Sequence, residues 1–131
     1  MSQENVEIVR QLYIAMNARD VEAFAELADP DLEWIPDSRV VQAPVRGRGS
    51  IIRFFLEQAE VFEEFRLEPE RFWDTDDKVL VFVRTTGSGA ASGAGFDIRI
   101  GHLWTLRDGL VVRGEGHANR DEALEAAGLR E

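Results

Sequence analysis

The order of residue patterns along the chain predicts an α+β domain, with helices first and a sheet second. Three observations predict it. Two helical periodicities and a short apolar run are followed by a third, strongly aromatic helical stretch. From about residue 65 the apolar period falls to two, the period of strands. An Asp108-Gly109 pair then joins two β-rich runs, the strongest short-range signal for a hairpin. The 131 residues suit one domain, 1–131, with one core.

Residues 4–18 carry Val6, Val9, Leu12, Tyr13 and Met16 at helical spacing. Tyr13 reads either as a core tyrosine or as a hydroxyl donor to a pocket. Asp20 is an N-cap for a second, short helix with Val21, Phe24 and Leu27. Asp29-Pro30-Asp31 ends that helix, because proline disfavours helix in the residue before it. Leu32–Ile35 is a short strand. Pro36-Asp37-Ser38 then opens an irregular loop to about Gly49. The Arg46-Gly47-Arg48-Gly49 stretch lacks the lysine-serine pair of a phosphate loop and reads as a lead-in to the next helix. Residues 50–64 form that helix. Its face of Ile51, Phe54, Phe55 and Phe62 is bulky enough to require a sheet beneath it.

Phe65 to Trp73 is a strand that Pro69 marks as an edge or a bulge. Asp74 to Asp77 is a turn. Lys78 to Thr86 is apolar on both faces at its middle, so both faces are covered there. Arg84 reads either as snorkelling to the sheet edge or as a pocket cation. Gly87 to Gly95 is a low-complexity connection read as a mobile hairpin loop. In the first strand of the central hairpin, Ile98, Ile100, His102, Trp104 and Leu106 share one apolar face; Asp97, Arg99, Gly101, Leu103 and Thr105 share a wetter one. In the second, Leu110, Val112, Gly114 and Gly116 oppose Val111, Arg113, Glu115 and His117. Asn119 caps a short last helix, with Glu122 at the capping-box position and Gly128 as C′ residue.

Composition excludes several function classes. The chain has no cysteine, which removes disulfides, thiolate metal sites and a cysteine nucleophile. The net charge of −10 repels phosphate backbones and anionic membranes, so neither nucleic acid nor membrane is expected as a partner. No apolar run approaches membrane-spanning length, and the acidic N-terminal stretch has no signal-peptide core. The expectation is a soluble cytoplasmic protein. Two histidines with scattered acids do not make a metal site, so no metal and no cofactor is expected.

The chain resembles the SnoaL-like branch of the ketosteroid isomerase and nuclear transport factor superfamily. The resemblance is carried by Val6 to Tyr13 with Asn17 to Asp20, by Ala28 to Trp34, by Arg46-Gly47, by His102 to Gly109 and by Asp121 to Leu124. It implies a cone-shaped barrel: a strongly curved antiparallel sheet packed against the three N-terminal helices, with the short C-terminal helix added. It also implies a small apolar ligand and a homodimer through the sheet.

The catalytic residues of the superfamily carry over only in part. The tyrosine that ketosteroid isomerases use as oxyanion donor lies within a residue of Tyr13. Their aspartate base corresponds to Pro36, with Asp37 adjacent, and their protonated aspartic acid to Gly101, just before His102. The glycines Gly114 and Gly116 stand where epoxide hydrolases of the superfamily need an acid. The candidate catalytic residues are therefore His102, Asp37 and Tyr13, with His102 read either as a satisfied core residue or as an acid–base group able to titrate near neutral pH. Trp34, Phe55, Phe82, Arg84, Trp104, Glu115 and His117 are the candidate ligand contacts. The expected function is binding of a small apolar compound, with isomerase- or cyclase-type proton transfer next to a carbonyl; the alternative is a non-catalytic binding or dimerisation module.

Overall fold

The computed structural model describes residues 2–37, 43–89 and 95–129, without the side chains of Ser2 and Glu63. Ten elements follow in order: α1 (Ser2–Ala18), α2 (Val21–Leu27), β1 (Ala28–Ile35), β2 (Val45–Arg46), α3 (Arg48–Val61), β3 (Phe62–Thr75), β4 (Lys78–Gly89), β5 (Gly95–Arg107), β6 (Leu110–His117) and α4 (Arg120–Ala126). The strands form one sheet in the order β2-β1-β6-β5-β4-β3. β1 joins β6 in parallel and every other pairing is antiparallel. The sheet stays open, with β2 and β3 at its edges.

Strand parity sorts the residues of β4 onto two covered faces, as its apolar middle requires. Val79, Val81 and Val83 face the helices and join Val9, Leu12, Tyr13 and Met16 of α1 in the main core. Each is fully buried, worth roughly 1.5–3 kcal/mol per side chain of that size. Leu80 faces the other way and packs with Leu103 and Ala123 under α4, with Trp73, Phe82 and Leu124 around them. Gly101 makes this contact possible: a Cβ there would lie 2.5 Å from the Cβ of Ala123. Two sequence expectations change as a result. Gly101 and Leu103 are buried beneath α4, not wet, whereas Ile98 is half-exposed on the side expected to be buried.

Two of the four prolines lie inside strands. Pro30 lies within β1, at the stretch where its register to β6 shifts, so Asp29-Pro30-Asp31 begins the strand instead of separating it from α2. Pro69 lies in the edge strand β3 beside a register shift, where its missing N–H costs nothing. β4 and β5 run on to Gly89 and from Gly95, so the expected loop shortens; residues 90–94 and 38–42 lie outside the described residues. Asn17 at the end of α1 completes the edge of β3: its amide donates to the Leu67 carbonyl and accepts from the Leu67 N–H. Arg48 donates to the carbonyls of Ala25 and Ala28 and so closes the end of α2. Asp108 and Gly109 both have positive φ, as the tight hairpin turn demands. Among the described residues no helix is long and apolar enough to cross a membrane.

A bulge in β6 decides what the hairpin shows to the helices. Thr105 pairs with Arg113 but Leu106 pairs with Val111, which leaves Val112 as an extra residue. Val111 and Gly114 therefore both face inward, against the strict alternation expected for them. Gly114 is the middle of a cross-strand row, paired with Trp34 on one side and Trp104 on the other. A Cβ at 114 would lie 2.5 Å from Trp104 and 2.8 Å from Trp34. Gly114→Ala is expected to destabilise the fold by about 1–3 kcal/mol through overpacking. Urea unfolding followed by tryptophan fluorescence checks this; a variant as stable as the parent would show that the two indoles move apart freely.

Candidate functional site

Three buried aromatic side chains form a hydrogen-bonded chain on the inner face. Tyr13 comes from α1 and His102 and Trp104 from β5, two residues apart on the same face. The Trp104 Nε1–H donates to the Tyr13 hydroxyl oxygen at 2.9 Å. The same hydroxyl lies 2.7 Å from His102 Nδ1. All three residues are at least 97% buried, so each proton needs a partner within the protein. An indole N–H can only donate, so the Tyr13 oxygen accepts there. Its own proton then goes to His102 Nδ1, which must be bare, and the imidazole carries its proton on Nε2.

Electrostatics agrees with that assignment. Burial, then the positive charge of His117, pushes the His102 pKa down to about 3, so the ring is neutral at ordinary pH. Burial raises the Tyr13 pKa far above the usual phenol range, against the smaller opposing effect of the Trp104 N–H. Tyr13 stays protonated and His102 stays uncharged. The expectation that His102 titrates near neutrality is therefore corrected: low polarity around the ring disfavours the cation. What the ring has to offer is a fixed N–H donor.

Trp34 closes over this group. Its ring lies 5.2 Å from that of His102 and 5.5 Å from that of Trp104, and Phe55 of α3 meets it edge-on at 5.7 Å. Tyr13, Trp34, Phe55, His102 and Trp104 are thus brought together. Phe55 also lines an apolar hollow between α1, α2, α3 and β3, with Met16, Val21, Phe24, Phe65 and Leu67.

Asp37 is buried at the end of β1, where its Oδ2 accepts the Ala118 N–H at 2.7 Å. It lines a second hollow with Ile35, Pro36, Glu115, Gly116, His117 and Glu122. Gly116 is the β6 partner of His102, and the Asp37 backbone nitrogen would lie 3.9 Å from a Cβ on it. Asp37 is therefore next to the His102 rung, though outside the Tyr13–His102–Trp104 chain. Glu115 and His117 are half-buried at 3.5 Å from each other, and Arg113 also lies 3.5 Å from Glu115. They flank Asp37 and not the tyrosine.

Phe82 and Arg84 fall on the outer face, because even-numbered residues of β4 point away from α1 and toward the side of α4. Phe82 packs edge-on against Trp73 at 4.6 Å beneath the Arg120 guanidinium. Arg84 is held by both carboxylate oxygens of Asp97, at 2.9 and 2.6 Å, and these bonds lower the Asp97 pKa. Neither shares the inner face with His102, so the structure does not bring them to the Tyr13–His102–Trp104 group. Among the described residues no group of three His, Asp or Glu side chains is placed to hold a metal ion. Gly114 and Gly116, which clear one face of β6, seat the tryptophans: Trp104 and Trp34 lie against Gly114 and Trp34 against Gly116.

Two outcomes test this assignment. Unfolded His102 titrates near 6.5 and folded His102 near 3, so between these values the unfolded chain binds the extra proton. Stability from this group is complete above pH 6.5 and is lost as pH falls through that window. The loss amounts to about 2 kcal/mol between pH 7.5 and 5, at 1.36 kcal/mol per pKa unit. Urea unfolding across that range is expected to show this slope in the parent and a flatter one in His102→Gln; equal slopes would mean a solvated ring. Tyr13→Phe is expected to cost about 1–3 kcal/mol, because it strands the Trp104 N–H. Nitrogen NMR of the parent checks the tautomer directly: a protonated Nδ1 would reverse the assignment.

Comparison with known proteins places this geometry. No curated protein matches the chain. Bal32a, from a soil-derived mobile gene cassette, has a TM-score of 0.81 at 24% identity, covering 88% of this chain and 89% of its own. A structure named as a SnoaL-like polyketide cyclase from Jannaschia sp. CCS1 has a TM-score of 0.79 at 26% identity, covering 88% and 85%. TerC, co-crystallised with polyporic acid, has a TM-score of 0.77 at 25% identity, covering 95% and 98%. Residues 9–114, which hold the whole Tyr13–His102–Trp104 chain, match the SnoaL-like domain. The protein belongs to the SnoaL-like domain family.

Proposed function

We propose that the protein binds a small, mostly apolar carbonyl compound and transfers a proton next to that carbonyl, as a cyclase- or isomerase-type enzyme. The observation that carries this is the buried bond between Tyr13 Oη and His102 Nδ1 at 2.7 Å, from which the neutral tautomer of His102 is inferred. A neutral imidazole with its Nε2–H free of the Tyr13 bond is suited to polarise a carbonyl and to stabilise the enolate oxygen that forms on deprotonation. It does so without itself losing or gaining a proton. Tyr13 is a positioning residue that sets the tautomer. Asp37, beside the His102 rung, serves as the base that takes the proton from carbon. Trp34, Phe55 and the apolar hollow next to Phe55 supply contacts for a flat apolar body. The cyclase name of the Jannaschia structure and the small molecule held by TerC agree in kind with this reading. A second copy of the chain is proposed as partner through the outer sheet face. It would dock around α4, where ion pairs such as Arg84–Asp97 lie exposed; a monomer by light scattering at high concentration would contradict that.

The test uses 1-tetralone in heavy water. Exchange of the protons next to its carbonyl, followed by NMR, is expected to exceed the buffer rate. Asp37→Asn is expected to lower it by about 10²-fold or more, and His102→Gln by about 10²–10³-fold. Quenching of tryptophan fluorescence by 1-tetralone with exchange at the buffer rate would favour the non-catalytic binding module. That alternative has its own support in the complete internal pairing of the Tyr13 hydroxyl. Absence of quenching would overturn the binding reading itself.

A further inference from the structure

We propose that the outer face of the sheet carries a second binding site, for a small dianion with its charge on oxygen, a dicarboxylate or a phosphate, held between the guanidinium groups of Arg107 and Arg113. The site is separate from the inner face and does not rest on the carbonyl reading. On the outer face α4 packs on the rung of Leu80 and Leu103. The next rung toward the hairpin turn crosses the whole sheet, with Arg46, Glu33, Arg113, Thr105, Lys78 and Thr75 paired in that order. It carries three cations and one acid. The chain as a whole has 25 acidic and 15 basic residues, so this rung reverses the balance of the surface around it. Arg107, two residues beyond Thr105 on the same face, adds a further cation.

A hollow of about 430 Å³ lies over this rung, and Asp31, Glu33, Arg46, Arg107, Val112 and Arg113 are among its walls. The bulge at Val112 puts Arg113 there, on the same face as Arg107 of the neighbouring strand. Because Arg113 pairs with Thr105, the two arginines are diagonal neighbours, about 7–8 Å apart at the backbone and within reach of each other's long side chains. Both are exposed to solvent. Arg46 is committed to Glu33 at 3.1 Å. Arg113 meets Glu115 only at 3.5 Å, and Glu115 also faces His117. Among the described residues Arg107 has no carboxylate partner. Arg107 thus offers its full set of N–H donors, and Arg113 gives up only a loose contact, since exposed pairs are weak. Each guanidinium presents paired N–H groups that match two oxygens of a carboxylate or phosphate. Two cations this close repel each other, and a dianion between them turns that repulsion into attraction. Asp31 and Glu33 stand on the β1 side of the hollow. Glu33 is answered by Arg46, so Asp31 is the group that opposes an anion and confines it to the β5–β6 side.

The experiment is calorimetric titration at constant ionic strength with succinate, inorganic phosphate and acetate. The parent is expected to bind succinate or phosphate in the millimolar range and acetate about tenfold more weakly, because acetate answers one guanidinium only. Which dianion binds more tightly tells whether carboxylate or phosphate is the group recognised. Arg107→Gln is expected to weaken dianion binding about tenfold. Arg107 is exposed and makes no ion pair in the fold, so this loss does not come from unfolding. Asp31→Asn is expected to tighten binding about threefold by removing the opposing charge, a gain that unfolding cannot produce. Arg53→Gln, on the exposed side of α3, is expected to leave binding unchanged. Failure of both dianions to bind the parent would overturn the site, as would unchanged binding in Arg107→Gln. Equal losses in Arg107→Gln and Arg53→Gln would also overturn it, since they would mean attraction to overall charge and no site. None of these outcomes touches the carbonyl reading of the inner face.

Discussion

The inner face depends on one hydrogen-bonded chain, from the Trp104 N–H through the Tyr13 hydroxyl to His102 Nδ1. Each bond by itself contributes little net stability, because water offers the unfolded chain the same partners. Their weight lies in the penalty for misplacing any member. An indole N–H, a phenol and an imidazole are all buried within a few ångströms, and only one proton arrangement satisfies the shared hydroxyl. That arrangement ties α1 to β5 and sets the ring of His102 against Trp34. It also fixes the chemistry, since a histidine accepting at Nδ1 and kept neutral by burial can only be a donor at Nε2.

The sheet is shaped around the same group. Two indoles stand on strands that are not neighbours, β1 and β5, with β6 between them. They meet because β6 presents Gly114 at that rung. Gly114 faces inward because the bulge at Val112 shifts parity by one residue. With strict alternation in place of the bulge, Arg113 would face the tryptophans, a buried charge with no partner on that side. The bulge, the glycines and the two tryptophans are therefore one device, and the loss of acid positions in β6 is its chemical consequence. The carboxylates are left at the strand ends, where Asp37, Glu115 and Glu122 line a separate hollow.

Much of this was legible in the sequence because most of the chain obeys simple periods. The alternation in Lys78 to Thr86 correctly required two covers, and the structure supplies α1 on one side and α4 on the other. The Asp108-Gly109 turn, the Asp20 and Asn119 caps and the proline marker at 69 all sit where local chemistry put them. Tyr13, His102 and Asp37 were expected to converge; Tyr13 and His102 are bonded, whereas Asp37 lines a separate hollow. What local periods could not reveal was parity across irregularities. The β6 bulge reversed the inward set after Val111, and α4 buried Gly101 and Leu103 by a contact far along the chain. Phe82 and Arg84 were misplaced for a plainer reason. Their residue types suit a pocket, but even positions of β4 point outward, and that followed from parity already visible in the valines. The protonation state of His102 was beyond the sequence, since it depends on burial and on a partner 89 residues away.

The division of labour proposed for the histidine and Asp37 rests on where each sits in the dielectric. A base must exchange protons near the working pH, and a ring with its pKa driven to about 3 cannot do so. A hydrogen-bond donor to a developing negative charge gains from the same burial, because nearby dipoles are poorly screened there. Asp37 lies nearer the edge. It is buried enough to be oriented by the Ala118 N–H, yet it opens onto a hollow shared with His117 and two further acids. The fold thus sets a neutral donor at depth on β5 and an acidic group nearer the edge, just past the end of β1. Proton abstraction next to a carbonyl needs those two functions on two sides of one small molecule, and a histidine acting as both acid and base is not required for it.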